Sequence, residues 1–383
     1  MNTKTKILLA IRQGQVGGGE THVYELAKNL NKQHFDVEVL SFTNGLMINK
    51  LNDIGITTHV IHSTKPFDIK VWKKVTQLIK TNKYDIIHAH GTRAASNVFY
   101  SAKKLRLPLI YTIHGWSFHQ SQSKLTSIVR EMSENFITHM SNLNIAVSEN
   151  NKNEGKLNFG LNNIKVIYNG IDLNKFNPKS KHNDIRKEFN VKPNETLLGY
   201  MVRLTEQKDP ITMIKAMQQV YKVNKGIKLL IVGNGNLEAT IKKMVNESEI
   251  KNNVIFSNFR EDIPAVLNAI DIYCLPSLWE GMPIGLIEAM AMGKTTISTS
   301  VDGTKELITN NYNGFNIPVN DPLQLANTIL KIHNNSKIKM IIGENARKTI
   351  NEHFNITNMV HKIEDVYFQF MTANKNYLVN HIL

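Results

Sequence analysis

The chain of 383 residues has one cysteine, Cys274. A single thiol excludes an internal disulfide and a multi-cysteine metal site. Cys274 stands in the strand-like run 271–275, which predicts a buried core thiol and not a nucleophile. Long apolar runs are missing as well. No window approaches the roughly 18 uninterrupted apolar residues of a membrane span. The short apolar run 7–11 is too brief for a signal-peptide core. The expectation is a cytoplasmic chain. No Asp-x-Asp pair occurs, which argues against manganese-dependent chemistry on a single Rossmann domain. No complete Gly-x-Gly-x-x-Gly fingerprint follows a strand pattern, which argues against a dinucleotide-dependent dehydrogenase.

Acidic residues are also in short supply, with 32 Asp and Glu against 46 Lys and Arg, a formal charge of +14. Much of the excess is lysine, notably in the helical patterns 69–83 and 94–106. A solvated lysine-rich surface explains this most simply. An anionic membrane surface or a phosphate-bearing substrate is the sharper reading. Nucleic acid is not expected, because no aromatic-basic interleaving or helix-turn-helix pattern accompanies the charge.

A chain of this length predicts two domains. Short apolar runs alternate with amphipathic stretches almost from end to end. In the first half, strands are predicted at 6–11, 37–42, 59–61, 85–90, 109–114, 144–148 and 166–168, and helices near 21–31, 69–81, 94–105, 123–141 and 150–159. The second half restarts the rhythm with strands at 196–200, 228–232, 254–257, 271–275 and 295–298. Its helices are predicted at 210–221, 237–247, 264–269, 285–292, 322–333 and 337–351. Asp209 before Pro210, and Asp321 before Pro322, fit N-cap and first-turn positions. The polar stretch 174–194 is the expected linker. This alternation predicts an α/β chain of two doubly wound, Rossmann-like domains facing across a cleft, with ligand at the carboxyl ends of the strands.

The most informative segment is Trp279-Glu280-Gly281-Met282-Pro283-Ile284-Gly285-Leu286-Ile287-Glu288, a turn from a strand into a helix. Two glycines and a proline suit backbone that approaches a ligand closely. Unpaired N–H groups of Ile284, Gly285 and Leu286 would open the helix and suit a phosphate. Glu280 and Glu288 could accept hydrogen bonds from hydroxyls on either side of that phosphate, as in a sugar nucleotide. The plainer alternative is a capped helix whose glutamates only complement its dipole. Arg203 and Lys208 bracket a second strand-to-helix loop. Two cations beside a helix N-terminus can stabilise a departing nucleoside diphosphate without a metal, although such residues are commonly plain surface charges.

Weaker signals are the turn at Gly233 and Gly235 and the loop Gly17-Gly18-Gly19. In each, glycines let backbone approach a diphosphate or an acceptor, or simply make a flexible turn. His88, His90 and His114 end strands of the first domain. A metal at His88 and His90 is conceivable, but no carboxylate or cysteine stands at ligand spacing beside them. His114, with Gly115 leaving room beside it, suits a hydrogen-bonding role in the cleft.

Taken jointly, these segments resemble family 4 of the retaining glycosyltransferases, which have the GT-B fold, in particular the bacterial capsule and lipopolysaccharide sugar transferases. The Glu-x7-Glu spacing of Glu280 and Glu288 carries most of the resemblance. Arg203 and Lys208, Asn169-Gly170-Ile171-Asp172, Val232-Gly233-Asn234-Gly235 and Asn313-Gly314-Phe315 lie in the order that family uses. The resemblance implies a first domain over 1–176 that binds the acceptor, a nucleotide-sugar domain over 177–362, and a final helix near 363–383 packed back on the first. It implies Arg203 and Lys208 on the diphosphate, Glu288 on the ribose, Glu280 on the transferred sugar, and His114 on the sugar from the first domain. Backbone amides from Met282 to Leu286 would bind sugar or phosphate oxygens, and Gly281, Met282, Pro283, Ile284, Gly285 and Leu286 would line the donor site together with Asn169 and Gly233. Gly17, Gly18 and Gly19 would close over phosphates or acceptor.

No cofactor or metal is implied. The partners implied are a nucleotide-sugar donor and a glycan or lipid-diphosphate-linked acceptor, at the inner membrane face in surface polysaccharide synthesis. The transferred unit would be a hexosyl or N-acetylhexosaminyl group. Val202 and Asp302 stand where many members have glycine, which alters two loops without removing a charge. Rival readings are a sugar-nucleotide 2-epimerase, which would need further acid/base carboxylates, and a non-catalytic scaffold, against which the intact charged set weighs.

Overall fold

Strand β1 (Thr5–Ile11) shows how the sequence makes its layers. Its side chains alternate between faces. Ile7, Leu9 and Ile11 enter one core, and Leu8 and Ala10 enter another on the opposite side of the sheet. A strand buried on both faces has to read as a continuous apolar run, and this one does. The computed structural model describes residues 4–15, 17–118 and 123–382, with side chains up to 372. The chain divides into two units, one of Met1–Gly170 with Ile356–Leu383, the other of Ile171–Asn355.

In the first unit β1 is followed by α1 (Gly18–Asn29), β2 (Phe35–Ser41), α2 (Leu46–Asp53), β3 (Thr57–Val60), α3 (Ile69–Asn82) and β4 (Ile86–His90). Then come α4 (Thr92–Leu105), β5 (Leu109–Ile113), α5 (Lys124–Met140), β6 (Leu143–Ala146), α6 (Glu149–Phe159) and β7 (Ile164–Val166). The strands form one parallel sheet of order β3-β2-β1-β4-β5-β6-β7. Apolar residues of α1 and α2 fill the core on one face, and Val75, Val98 and Ile137 from α3, α4 and α5 fill the other.

The second unit runs α7 (Ile185–Glu188), β8 (Thr196–Met201), α8 (Pro210–Val223), β9 (Ile227–Val232), α9 (Glu238–Asn246), β10 (Val254–Ser257), α10 (Ile263–Ala269) and β11 (Ile272–Leu275). It continues with α11 (Ile284–Ala291), β12 (Thr295–Thr299), α12 (Thr304–Leu307), β13 (Phe315–Ile317), α13 (Pro322–His333) and α14 (Ser336–His353). Its parallel sheet has the order β10-β9-β8-β11-β12-β13. The strand order reverses between β8 and β11 here, and between β1 and β4 in the first unit. In open α/β sheets ligands bind at such reversals, beyond the carboxyl ends of the strands.

Asp209 and Asp321 cap their helices as the Asp-Pro pairs predict, accepting the N–H groups of Thr212 and Gln324. Other details depart from the sequence reading. Helices α2, α7 and α12 and strand β13 were not anticipated. Residues 174–194 are not a linker. They belong to the second unit, where Phe176, Ile185 and Val191 are buried. Arg186 ties this stretch down, donating to the carbonyls of Ala269, Lys192 and Glu195 and pairing with Asp271 at 3.2 Å. The units therefore divide after Gly170 and after Asn355, ahead of the expected boundaries at 176 and 362. Helix α15 (Ile356–Ile382) starts earlier than the predicted 363 because Ile356, Met359 and Val360 already pack in the first unit's core.

Candidate active site

Two groups of unusual residues gather at the carboxyl edges of the two sheets. In the second unit, the loop after β8 carries Arg203, which is exposed, and Lys208, which precedes α8. The neighbouring strand β11 leads into the loop that carries Glu280. The Lys208 ammonium forms an ion pair with Glu280 Oε1, and the side chains are 19% and 5% exposed. Ser277 Oγ donates to the same carboxylate oxygen at 2.7 Å. A charge so far from water needs such partners.

The loop is held from both sides. Leu278 N–H donates to the Gln207 carbonyl at 2.8 Å, and Gln207 Nε2 to the Trp279 carbonyl at 3.0 Å. Glu280 N–H donates to Asp302 Oδ2 at 2.8 Å. Burial pushes the Asp302 carboxyl above its ordinary range, and the Glu280 charge adds to this, while the N–H bond pulls the other way. Asp302 also adopts φ 38°, and a Cβ on Gly303 would stand 1.9 Å from the Gly281 carbonyl oxygen. The turn therefore fits together only with glycine at 303.

Helix α11 begins just after Pro283. Among the described residues the N–H groups of Ile284 and Gly285 meet no acceptor. The Leu286 N–H is taken by the Pro283 carbonyl at 3.1 Å, so two amides are open there and not the expected three. A Cβ on Gly285 would meet Tyr273 Oη at 2.8 Å. Met282 is buried, and Glu288 is half-buried in the second turn of α11. Burial raises the Tyr273 phenol, and the charges of Glu288 and Glu280 raise it further, so the two glutamates flank one tyrosine. Gly233 adopts φ 130°, and a Cβ there would lie 2.1 Å from the Val202 carbonyl oxygen. It locks the turn after β9 to the loop after β8, which Leu204 N–H to Asn234 O reinforces at 3.0 Å.

In the first unit, Gly17 precedes α1, and Gly18 and Gly19 form its first turn. A Cβ on Gly19 would lie 3.3 Å from His114 Cδ2. His114 follows β5, and its Nε2 meets His90 Nδ1 at 3.1 Å. His22, one turn along α1 from Gly19, hydrogen-bonds Asn169 Oδ1 through Nδ1 at 2.9 Å and packs edge-on to His114 at 4.9 Å. The structure thus brings Gly19, His114 and Asn169 together around His22. Burial lowers the His22 imidazole to about 4 and that of His88 to about 3. His90 and His114 are also well below the ordinary value, from burial first and neighbouring histidines second. All four rings are neutral at pH 7.

A metal held by His88 and His90 does not fit this arrangement. The His88 nitrogens are both engaged, with Tyr367 Oη and Thr112 Oγ1, each at 2.7 Å. Among the described residues no group of three or more His, Cys, Asp or Glu side chains is arranged to hold a metal ion. Cys274 is buried, and burial raises its thiol far above the ordinary range.

Sequence reasoning did not single out Ser277, Gln207 or His22 as parts of the site, and it noted Asp302 only as standing where many relatives have glycine. The structure puts His22 one turn beyond Gly19 because α1 starts at Gly18, three residues ahead of the predicted start near 21.

Residues 16–175 match the family described as Glycosyltransferase Family 4, and residues 181–349 the family described as Glycosyl transferases group 1. A curated relative from Escherichia coli, the UDP-Gal:alpha-D-GlcNAc-diphosphoundecaprenol alpha-1,3-galactosyltransferase, is 29% identical over 92% of each chain. The N-acetyl-alpha-D-glucosaminyl L-malate synthase of Bacillus anthracis is 24% identical over 94% of this chain and 96% of that protein. Among solved structures, Anabaena HepE in complex with UDP and glucose superimposes with a TM-score of 0.84 at 24% identity, covering 95% of this chain and 99% of that one. With two parallel Rossmann-like sheets, the edge geometry described above and matches to both halves, the chain belongs to glycosyltransferase family 4 and has the GT-B fold.

Proposed function

We propose that this chain transfers a hexosyl or N-acetylhexosaminyl group from a UDP-sugar to a lipid-diphosphate-linked glycan, with retention of configuration and without a metal. The observation that carries the reading is the buried Lys208–Glu280 pair at the strand-order reversal, beside the open amides of Ile284 and Gly285. One cation, two N–H dipoles and a carboxylate so grouped match the phosphate oxygens and neighbouring hydroxyls of a sugar diphosphate, which supports the reading. The donor and acceptor classes are those in the name of the Escherichia coli relative.

In this reading Lys208 leaves Glu280 to neutralise the diphosphate together with Arg203, and the α11 N-terminus receives a phosphate oxygen. Glu280 is then released to accept a hydrogen bond from a sugar hydroxyl. Glu288 holds the ribose hydroxyls. Gly281, Met282 and Pro283 supply the close backbone wall that Gly303 packs behind, and Gly233 keeps the β8 loop in place. For the first unit the family resemblance suggests His114 on the sugar and Gly17–Gly19 on phosphate or acceptor, with Asn169 holding His22 beside His114.

The alcohol of the acceptor attacks the anomeric carbon on the face the diphosphate leaves. The C–O bond to the β-phosphate breaks, the new glycosidic bond forms, and the acceptor proton passes to the departing phosphate oxygen. The leaving group needs charge stabilisation, which the two cations and the helix N-terminus supply.

The test is incubation of the purified protein with UDP-, GDP- and ADP-sugars and a polyprenyl-diphosphate-linked N-acetylglucosamine, with and without EDTA. Transfer from a UDP-sugar, unchanged by EDTA and giving the α-linked product, is expected. Epimerised UDP-sugar would assign the chain to the 2-epimerase reaction, and no turnover of any donor would assign it to a scaffold role. A trapped glycosyl-enzyme would overturn the same-face step.

A further inference from the structure

Helix α5 carries its apolar stripe on the outside. At about 100° per residue, Leu125, Ile128, Val129, Met132 and Phe136 share one stripe roughly 100° wide. They are 74, 52, 55, 67 and 43% exposed. The opposite face turns a carboxylate inward. Glu134 is fully buried and accepts hydrogen bonds from Thr92 Oγ1, Tyr111 Oη at 2.9 Å and Ser117 N–H at 3.3 Å. A surface helix of a globular protein ordinarily has the reverse orientation. A contiguous apolar stripe of this kind marks an interaction surface.

The surface continues beyond α5. Phe136 packs on Phe99 at 5.2 Å, Phe99 on Trp72 of α3 at 5.3 Å, and Trp72 stacks on Tyr100 at 4.9 Å. Lys104 Nζ lies over the Tyr100 ring at 5.6 Å, and Lys70, Lys73 and Lys74 of α3 and Lys103 of α4 are exposed on the same two helices. Neither helix contains an Asp or Glu. An apolar stripe therefore borders a field of one sign, and α3, α4 and α5 lie side by side on one face of the sheet.

We propose that the outer face of α5, flanked by the lysines of α3 and α4, docks on the surface of an anionic lipid bilayer. Such a surface matches both features at once: the stripe enters the boundary between headgroups and acyl chains, and the lysines meet the lipid charge. A second copy of this chain complements only one of them. A two-fold contact would bury the stripes together but set the two lysine fields against each other. The proposal agrees with a lipid-linked acceptor but does not depend on it. Helix α5 follows strand β5, whose carboxyl end leads to His114, so docking would hold that edge near the membrane. Among the described residues no helix is long and apolar enough to cross a membrane, so the contact is a surface one.

The test uses the full chain without donor or acceptor, so that its outcome is separate from sugar transfer. Vesicles of phosphatidylcholine alone, and of phosphatidylcholine and phosphatidylglycerol in equal parts, are floated with wild type. The same is done with a Leu125→Ser/Val129→Ser/Met132→Ser variant and a Lys73→Glu/Lys74→Glu variant. All five positions are exposed, so thermal unfolding should match wild type and certify the fold. Wild type should float with the anionic vesicles and not the neutral ones, and the charge-reversed variant should bind about 30-fold more weakly or less. The stripe variant should lose binding as well. No flotation of wild type, or flotation that the stripe variant retains, overturns the proposal. So does a wild-type dimer that the stripe variant converts to monomer while vesicle binding stays absent, which would assign the stripe to a second copy.

Discussion

Removing Lys208 should cost far more than removing its partner. In Lys208→Met, the Glu280 carboxylate, 5% exposed, keeps Ser277 but loses its counter-ion, with the Asp302 carboxyl close by. Stranding a buried charge costs about 3–5 kcal/mol. For a domain the size of the second unit, each kcal/mol lowers Tm by roughly 2–4 °C, so a fall of about 6–20 °C is expected. Glu280→Gln is milder, about 1–2 kcal/mol. The Ser277 hydroxyl can still donate to the amide oxygen, and Lys208, 19% exposed, can turn to water. The double variant strands no charge and should be more stable than Lys208→Met alone. A coupling energy of at least about 2 kcal/mol follows. Urea unfolding of the four proteins measures it, with circular dichroism as the signal. Additivity of the single variants to within about 0.5 kcal/mol would refute the claim that the two charges depend on each other. The same proteins test the proposed competition for Lys208, because Glu280→Gln should bind UDP more tightly than wild type in calorimetry and Lys208→Met more weakly.

Gly285→Ala puts a methyl 2.8 Å from Tyr273 Oη at the mouth of α11. It should weaken UDP binding about tenfold, roughly 1.4 kcal/mol, and Tyr273→Phe in the same chain should restore most of it. Failure of that rescue would locate the damage elsewhere. The buried histidines of the first unit predict acid sensitivity. Their folded pKa values are lowered, to about 4 for His22 and about 3 for His88, so the unfolded chain takes up protons first as pH falls below about 6.5. Stability is thus present above that value and lost below it, by roughly 2 kcal/mol per histidine at pH 5. His88→Gln should flatten the dependence of Tm on pH between 7 and 5, and an unchanged slope would count against the assignment. Asp302 has the opposite sign, since its raised carboxyl makes folding less favourable as pH rises through the folded pKa. Asp302→Asn, which keeps an acceptor for Glu280 N–H and tolerates positive φ, should raise Tm at pH 7 and lose the gain near pH 3.

The sequence by itself determined what depends on neighbours along the chain. Runs such as 7–11 and 229–232 had to be strands buried on both faces, and the Asp-Pro pairs at 209 and 321 had to start helices. The segment from Trp279 to Glu288 announced a strand-to-helix turn with a carboxylate on each side, because turn and helix chemistry are local. Helix α2 and strand β13 escaped notice, since the polar residues that interrupt 46–53 and 315–317 leave no clear apolar run or stripe there.

Only the tertiary structure decided which loops meet. Lys208 and Glu280 lie 72 positions apart, and their pairing follows from β8 and β11 being neighbours in the sheet. The histidine cluster draws on α1, β4 and β5, plus Asn169, and the burial that keeps it neutral belongs to no single segment. Helix α5 makes the point most sharply. Its apolar spacing is legible in the sequence, but periodicity gives only the existence of a stripe and not its direction. The buried hydrogen bonds of Glu134 turned that stripe toward solvent, because a buried carboxylate must keep its partners, whereas an exposed leucine has none to lose.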